Sequence, residues 1–222
     1  MSRADEIRAN LAAVEARISA ACVRASRARS EVKLVAVSKT FPATDVDHVI
    51  AAGAADVGEN KVQEARDKRK AVSAAAHWHL IGHLQSNKAK DAVRLFDLIH
   101  TVDSVELAEK IARVAGSAGK RQDVLLQVNV GRESQKSGAE GGVVAELVRR
   151  VVALPSLHLC GLMTIPPLGE PEAMRPYFRE LAGMGHDLGL GELSMGMTGD
   201  FEVAIEEGAT ILRIGRAIFG AR

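Results

Sequence analysis

The sequence predicts an α/β protein, folded as a single (β/α)₈ TIM barrel with an extra N-terminal helix. Short apolar runs alternate with helical patterns along most of the chain, which is typical of a parallel sheet. About eight such units fit into 222 residues, and no linker rich in Pro, Gly or Ser separates them. We therefore expect one domain over residues 1–222. Because spacing alone does not decide closure, an open doubly wound sheet remains the alternative.

The extra helix is predicted from apolar residues that recur at helical spacing near the start of the chain. Ser2 and Asp5 have the arrangement of a capping box, in which side chains satisfy free N–H groups where a helix begins. The apolar residues share one face, as in a helix that packs on a core. They are Ile7, Leu11, Val14 and Ile18.

Eight apolar runs follow as the predicted strands. The first is apolar throughout rather than alternating, as expected for a strand buried on both faces of a parallel sheet. The strands are predicted at residues 34–37, 55–57, 78–81, 98–101, 124–130, 157–162, 192–194 and 211–214. Helical patterns separate them at residues 45–52, 61–75, 86–95, 104–118, 142–154, 172–188 and 200–207.

The composition is ordinary for a globular protein and excludes several classes of partner. The chain is 47% hydrophobic and 26% charged with a net charge of +1, so no basic face for nucleic acid is indicated. Aromatic residues make up 3%, which gives no stacking platform for single strands. The two cysteines, Cys22 and Cys160, form no CxxC, and neither a signal region nor a membrane-length apolar stretch occurs. We expect a cytoplasmic protein without a nucleic-acid or membrane partner.

Lys39 is the most informative single residue, because it stands directly after the first apolar strand. Desolvation near an apolar core lowers the pKa of an ammonium group, and the neutral amine attacks an aldehyde to form a Schiff base. The alternative is a strand-end lysine that simply reaches water.

The loops after the last two predicted strands have the composition of phosphate-binding turns. In residues 194–200 two glycines permit a tight turn and a close approach to a ligand, and Thr198 is placed to cap the next helix. Residues 213–218 repeat the scheme, and phosphate sites in barrels often follow strands seven and eight. Ordinary turn chemistry is the alternative. Asp200 disfavours a dianion unless it points away or caps the helix.

Arg213 lies inside the last apolar run, where an unpaired arginine is rare. Such a side chain must meet an acid, a carbonyl or a ligand, and an ion pair with a barrel carboxylate is the alternative to ligand contact.

The histidines His77, His79 and His83 invite a zinc interpretation. No cysteine or glutamate joins them at a ligand spacing, so we expect packing roles and no metal site. The usual nucleotide and dinucleotide loops, GxxxxGK[ST] and GxGxxG, are absent, as is a GxSxG elbow.

Several motifs in fixed order resemble one family, the pyridoxal phosphate homeostasis proteins, which are single-domain relatives of the alanine racemase barrel. The resemblance covers nearly the whole chain, from about residue 5 to the end. The motifs are VSKT at 37–40, GENKVQE at 58–64, WHLIGHLQSNK at 78–88, SQKSG at 134–138, GLMTI at 161–165, SMGMTGD at 194–200 and RIGRAIFG at 213–220.

This resemblance implies a pyridoxal 5′-phosphate (PLP) cofactor held as a Schiff base on Lys39. It implies that Asn60 and Met163 line the pocket and that Arg213 faces the pyridine nitrogen. Many relatives have serine where Thr198 stands and some have proline at His83, but a hydroxyl is retained at the first position. The resemblance implies a phosphate site formed by the two glycine loops, with Ser194, Gly196, Met197, Thr198, Gly215 and Arg216 as cofactor-binding residues.

A PLP carrier is favoured over an enzyme, and no catalytic residue is assigned. An arginine at the pyridine nitrogen favours the unprotonated ring, a weaker electron sink than the carboxylate-paired ring of many PLP enzymes. In alanine racemase the second proton donor is a tyrosine of a separate C-terminal domain, whereas Tyr177 lies in a helical pattern and the chain ends soon after the eighth strand.

The expected partners are PLP and apo PLP-dependent enzymes that receive it, and a monomer is expected. Lys136 would offer a second amine for handing PLP on, although a solvated loop lysine is the alternative. The competing functions are a slow racemase or another PLP enzyme, and an interaction scaffold that retains no PLP.

Overall fold

Eight parallel strands form a closed barrel in the computed structural model, which describes residues 1–133 and 137–221. Neighbours in the chain are neighbours in the sheet, and the last strand pairs with the first to close it. The predicted barrel is therefore confirmed, and the open sheet is wrong. The strands are β1 Lys33–Val37, β2 Asp56–Glu59, β3 His77–Leu80, β4 Leu98–Val102, β5 Gln122–Gln127, β6 Leu157–Met163, β7 Glu192–Ser194 and β8 Ile211–Ile214.

Helices follow the strands and cover the outside of the barrel, so both faces of each strand are buried and the continuous apolar runs are explained. The described helices are α1 Arg3–Arg24, α2 Ala43–Ala51, α3 Val62–Ala71, α4 Ala89–Leu95, α5 Val105–Ser117, α6 Val144–Val152, α7 Pro171–Asp187, α8 Phe201–Glu206 and α9 Arg216–Phe219.

Helix α1 fills a gap in this outer layer. It packs against α2, α8 and α9, and α9 alone, with four residues, is too short to cover the space between β8 and β1. The predicted apolar face of α1 is buried, and Ser2 forms the predicted capping box with Asp5. Arg3 adds a bond to Asp45 of α2 at 2.6 Å and one to the Phe219 carbonyl at 2.8 Å.

The strand predicted at 124–130 is three residues too long, because β5 ends at Gln127. Val128 forms only an isolated bridge to Ala139, and the N–H group of Asn129 donates to the Ala139 carbonyl. Val128 and Val130 lie beyond the end of the strand, yet their side chains are buried. A run of apolar residues shows that side chains are buried but does not show whether the backbone pairs with a neighbouring strand.

The helix predicted at 61–75 is also too long, because α3 ends at Ala71. Val72 has an extended backbone, and the N–H groups of Ser73 and Ala74 donate to the Asp47 carboxylate instead of continuing the helix. Helix α9 is an element that the sequence pattern did not predict, since four residues are too few to show a period.

Two separate apolar clusters result. The large one lies between the sheet and the helices, and the small one fills the barrel itself. Among the described residues, no helix combines the length and apolar character that crossing a bilayer requires. The interior cluster consists of Val35, Leu98, Leu125, Met163 and Ile211.

Candidate functional site

The predicted cofactor residues all follow or end five adjacent strands at one end of the barrel. The strands β6, β7, β8, β1 and β2 are consecutive neighbours in the closed sheet, and their carboxyl ends face the same side. In barrels of this kind the active face is the one formed by these ends. The residues are Met163 on β6, Ser194, Gly196, Met197 and Thr198 on or after β7, Arg213, Gly215 and Arg216 on or after β8, Lys39 after β1 and Asn60 after β2.

Lys39 is half-buried and stands between two residues that are held by one network of hydrogen bonds. On one side the Ser38 carbonyl accepts a bond of 2.6 Å from the Lys68 ammonium. On the other side the Thr40 N–H group donates to the Glu64 carboxylate, and Thr40 has a left-handed backbone with φ of 70°. The backbone that carries the Lys39 side chain is therefore held from both sides.

Lys68 on α3 is the centre of this network. Its ammonium donates to Glu59 Oε1 at 2.6 Å and to Glu64 Oε1 at 2.8 Å, and the Ser38 hydroxyl donates to the same Glu59 oxygen at 2.5 Å. Burial raises the pKa of Glu59, although the hydrogen bonds from Lys68 and Ser38 oppose this shift. Its second oxygen is buried without a hydrogen-bond partner in the described part of the chain.

The loop after β7 makes a tight turn that brings its backbone close to the barrel. Gly196 has φ of 91°, and a Cβ atom there would lie 2.7 Å from the Ala204 side chain, so glycine is required. Thr198 does not cap α8 as predicted, because it lies in the turn two residues before the N-cap position, Asp200. The buried Asp200 carboxylate instead accepts the N–H group of Met197 at 2.6 Å. This bond occupies the Met197 N–H group, and the neighbouring Thr198 is half-buried in the turn.

Glycines also permit close approach at two other loops of this face. A Cβ atom at Gly215 would lie 3.1 Å from the Val37 carbonyl of β1, and Arg216 begins α9 with an exposed side chain. A Cβ atom at Gly82, in the loop after β3, would overlap the backbone of Asn60. The half-buried position of Asn60 therefore depends on a glycine in a neighbouring loop.

Arg213 is buried and makes its described hydrogen bonds to neutral oxygens rather than to a barrel carboxylate. One guanidinium nitrogen donates to Ser194 Oγ at 2.6 Å and another to the Thr164 carbonyl at 2.7 Å. Burial lowers the pKa of Arg213 to about 10, although the Asp200 charge opposes the shift. The cation is thus retained at neutral pH and aligned by a hydroxyl and a carbonyl.

A chain of buried hydrogen bonds continues from Ser194 through the barrel. His100 Nδ1 lies 2.9 Å from Ser194 Oγ, His100 Nε2 lies 2.9 Å from His79 Nδ1, and His79 Nε2 lies 2.9 Å from Asp56 Oδ1. Burial, together with the charges of His79 and Arg213, holds the pKa of His100 well below its usual range, so this ring is neutral.

The two ends of this chain have hydrogen bonds of fixed direction. Arg213 can only donate and the Asp56 carboxylate can only accept, so Ser194 Oγ accepts from Arg213 and the His79 Nε2–H group donates to Asp56. Ser194 is fully buried, and its hydroxyl oxygen holds the Arg213 guanidinium in place by accepting this hydrogen bond.

The other residues that the sequence singled out lie in the loop after β3, elsewhere in the barrel or outside the described residues. His83 lies 3.4 Å from Ser137 Oγ, whereas His77 begins β3 at the opposite end of the barrel, so the three histidines do not form one metal site. Tyr177 packs on the outer core from α7. Lys136 lies outside the described residues.

Sequence reasoning missed Lys68, Glu59 and the His100 chain. Lys68 has the context of a solvated lysine in a charged helix, and its partner Glu59 is nine residues away on a different element. His100 stands inside an apolar run. A histidine at a position expected to be buried needs hydrogen-bond partners, and this is the signal by which the chain could have been predicted.

The geometry can hold an aldehyde that carries a phosphate. Lys39 offers an amine on a fixed backbone, two glycine loops offer close backbone approach, and Arg213 offers a buried cation. These groups come from the adjacent strands β7, β8 and β1, and together they offer an amine, backbone N–H groups and a cation to one ligand.

Comparisons with known proteins agree with this geometry. The family model described as alanine racemase, N-terminal domain, matches residues 5–222. The pyridoxal phosphate homeostasis protein of Aquifex aeolicus is 44% identical over 220 residues, which cover 96% of both chains. The protein of the same name from Pseudomonas aeruginosa is 43% identical over 217 residues, covering 96% of this chain and 94% of that one.

A solved structure is similar over nearly the whole chain. PipY of Synechococcus elongatus PCC7942, solved with PLP bound, is 36% identical with a TM-score of 0.85. The match covers 96% of this chain and 100% of PipY.

Proposed function

Because the chain belongs to the pyridoxal phosphate homeostasis protein family, built on the alanine racemase N-terminal domain, we propose that it binds PLP as a Schiff base on Lys39 and serves PLP homeostasis in the cytoplasm. The observation that carries the proposal is the half-buried Lys39 at the carboxyl end of β1, with both adjacent residues tied to Lys68 and Glu64. The PLP found in PipY supports it, since that chain is similar throughout.

Different residues at the carboxyl ends of the strands would bind different parts of the cofactor. In this proposal the Lys39 amine adds to the aldehyde carbon and water leaves, while Asn60 and Met163 line the ring. Thr198, Gly196, Gly215 and Arg216 bind the phosphate through a hydroxyl and loop N–H groups, with Met197 lining the same loop. PLP supplies a reactive aldehyde and an electron-accepting ring.

Arg213 would face the pyridine nitrogen, and Ser194 would contribute by aligning it rather than by donating to the phosphate. A guanidinium beside this nitrogen keeps the nitrogen unprotonated, because a second positive charge there is unfavourable. The geometry therefore favours storage of PLP over carbanion chemistry.

The first experiment is to trap the Schiff base. Purified protein loaded with PLP should show an imine absorbance, and borohydride reduction should leave a mass adduct that peptide mapping assigns to Lys39. Lys39→Ala should lose the adduct, whereas Lys33→Ala, at the other end of the same strand, should keep it. An adduct spread over surface lysines, or none, would overturn the proposal.

We further propose that the bound PLP is supplied to apo-enzymes and that the protein acts as a monomer. Loaded protein should reactivate an apo PLP enzyme in the presence of a scavenger that removes free PLP, and free PLP at the same concentration should fail. Equal reactivation by both would mean that PLP is released only into solution. Light scattering measures the mass of the assembly.

A slow racemase is the competing function, and one measurement separates it from a carrier. An enzyme would release α-deuterium from amino acids faster than free PLP does, and Lys39→Ala would abolish that rate. We expect no exchange above free PLP, because Tyr177 lies outside the barrel.

A further inference from the structure

The opposite end of the barrel has an unexpectedly polar opening. A cavity of about 550 Å³ lies among the amino ends of the strands, on the side away from Lys39. Amino-end faces of such barrels usually contribute only to stability. Here the lining carries four carboxylates and one lysine, so a cation is favoured over an anion: Asp56, Asp97, Asp123, Glu192 and Lys33.

Three different metal-ligating side chains converge in this cavity. Asp123 of β5 is the register partner of His158 on β6, and Cys160 follows His158 by two residues. Cys160 is the extra residue of a bulge in β6, because Val124 pairs with Leu159 and Leu125 with Gly161. A carboxylate oxygen, an imidazole nitrogen and a sulfur thus come within 4.8 Å of one another.

Two of the three distances between the ligating atoms are close to those of a tetrahedral zinc site. Zinc bonds of about 2.3 Å to sulfur and about 2.0 Å to nitrogen put these two ligand atoms about 3.5 Å apart. Cys160 Sγ lies 3.5 Å from His158 Nδ1. The Asp123 oxygen lies 2.9 Å from the same nitrogen, so a metal that replaces the intervening proton requires a shift of only a few tenths of an ångström.

The electrostatic environment also favours a cation. The carboxylates of Asp56, Asp97 and Glu192 line the same cavity as the three ligating groups, and Lys33 is the one lysine or arginine in its described lining. A mixed set of sulfur, nitrogen and oxygen ligands suits zinc rather than magnesium or calcium, which prefer oxygen alone.

We propose that Asp123, His158 and Cys160 form a binding site for a zinc-class divalent cation at the amino end of the barrel. The cation displaces the thiol proton of Cys160 into solvent and binds His158 through Nδ1, while the neutral imidazole carries its proton on Nε2. Its fourth position faces the cavity and accepts water. This site is separate from the cofactor face, and the inference does not depend on PLP binding.

Cobalt(II) is the probe, because a cobalt–thiolate bond gives a charge-transfer absorbance that carboxylate or imidazole ligands alone do not give. The full chain, chelator-treated and kept reduced, should develop this band up to one equivalent of cobalt, and zinc should displace it. Absence of a band that saturates at one equivalent would overturn the proposal.

Matched variants assign the ligands. Cys160→Ser should lose the band while Cys22→Ser, at the buried cysteine of α1, keeps it. His158→Gln should weaken cobalt binding about tenfold or more, whereas His186→Gln, at an exposed histidine of α7, should not.

Two further measurements keep the result interpretable. His158 is exposed, so its substitution tests the site even if the Cys160 variant fails to fold, as circular dichroism would show. Equal affinity in His158→Gln and the wild type would reject the site. The borohydride adduct on Lys39 should be unchanged in the variants, so failure of the metal site and failure of PLP binding are separately visible.

Discussion

At the scale of single residues, the backbone around Lys39, the proposed Schiff-base lysine, depends on a second lysine, the buried Lys68. Lys68 neutralises Glu59 and Glu64 and holds the Ser38 carbonyl, so it fixes the backbone next to Lys39. A buried ion pair contributes little net stability, but removal of one partner leaves an uncompensated charge. The network is thus better understood as a device that positions Lys39.

Lys68→Met should destabilise the protein by about 3–5 kcal/mol, because Glu59 is left buried without its cation. Burial already raises the pKa of Glu59, so this carboxylate would take up a proton in the variant. Its protonation would limit the loss of stability. The yield of the Lys39 adduct should fall as well. Urea unfolding and borohydride trapping measure the two effects. Lys70→Met, at an exposed position of the same helix, is the control, and equal behaviour of the two variants would show that the network is unimportant.

Asp56 anchors the far end of the His100 chain, and its role predicts a pH dependence. Burial raises the pKa of Asp56, but the hydrogen bond and charge of His79 outweigh it and leave the pKa below its usual value. A carboxyl group whose pKa is lower in the folded state stabilises the fold above its unfolded pKa, about 3.9, and this stabilisation is lost as the pH falls through the folded value.

Asp56→Asn should therefore reduce the free energy of unfolding at pH 7 by about 1–3 kcal/mol, and the difference from the wild type should shrink below about pH 4. Urea titrations at pH 7 and pH 3 provide the comparison. Asp67→Asn, at an exposed carboxylate of α3, should show no such pattern. A difference that stays constant with pH would contradict the assigned charge.

At the scale of elements, strand spacing is the part of the fold that the sequence predicts well. The strands at 192–194 and 211–214 have the predicted bounds, because apolar runs between polar loops mark a buried parallel strand. The over-long strand at 124–130 and helix at 61–75 show the limit. Their ends are set by contacts from distant residues, Ala139 and Asp47, which no local pattern contains.

The candidate site was likewise predictable only in part. The positions of Lys39 and of the glycine loops could be predicted, because each directly follows a predicted strand. The Asp200 bond to Met197 and the partners of Arg213 could not, since they depend on side-chain directions in the closed barrel.

The close contact between β6 and β7 at Gly161 predicts the effect of adding a methyl group there. A Cβ atom at Gly161 of β6 would overlap the Glu192 carbonyl of β7, so Gly161→Ala should cost about 1–3 kcal/mol of stability through strand separation. Gly183→Ala, inside α7 with open space around it, should instead stabilise the protein by about 0.5–1 kcal/mol. Thermal and urea unfolding would measure both, and a neutral Gly161→Ala would show that β6 and β7 are free to move apart.

At the scale of the whole molecule, α1 completes the outer layer between α8 and α2 and so supports the closure of the barrel. Ile18 is fully buried in this contact, and Ile18→Ala should cost about 2–5 kcal/mol. Val23→Ala changes an exposed residue of the same helix and should have little effect. If urea unfolding gave the same midpoint for both variants, α1 would not be part of the cooperative unit.

The filled interior of the barrel limits the routes by which PLP can enter and leave. The apolar cluster that contains Val35, Leu125 and Ile211 and the hydrogen-bonded groups from Asp56 to Arg213 together fill the lumen. A molecule of the size of PLP cannot cross such a plug, so entry and exit share a single opening at the carboxyl ends of the strands. A recipient enzyme that takes PLP directly must approach this opening, and while it is docked there no new PLP can enter. The proposed loading and delivery would therefore alternate at one surface.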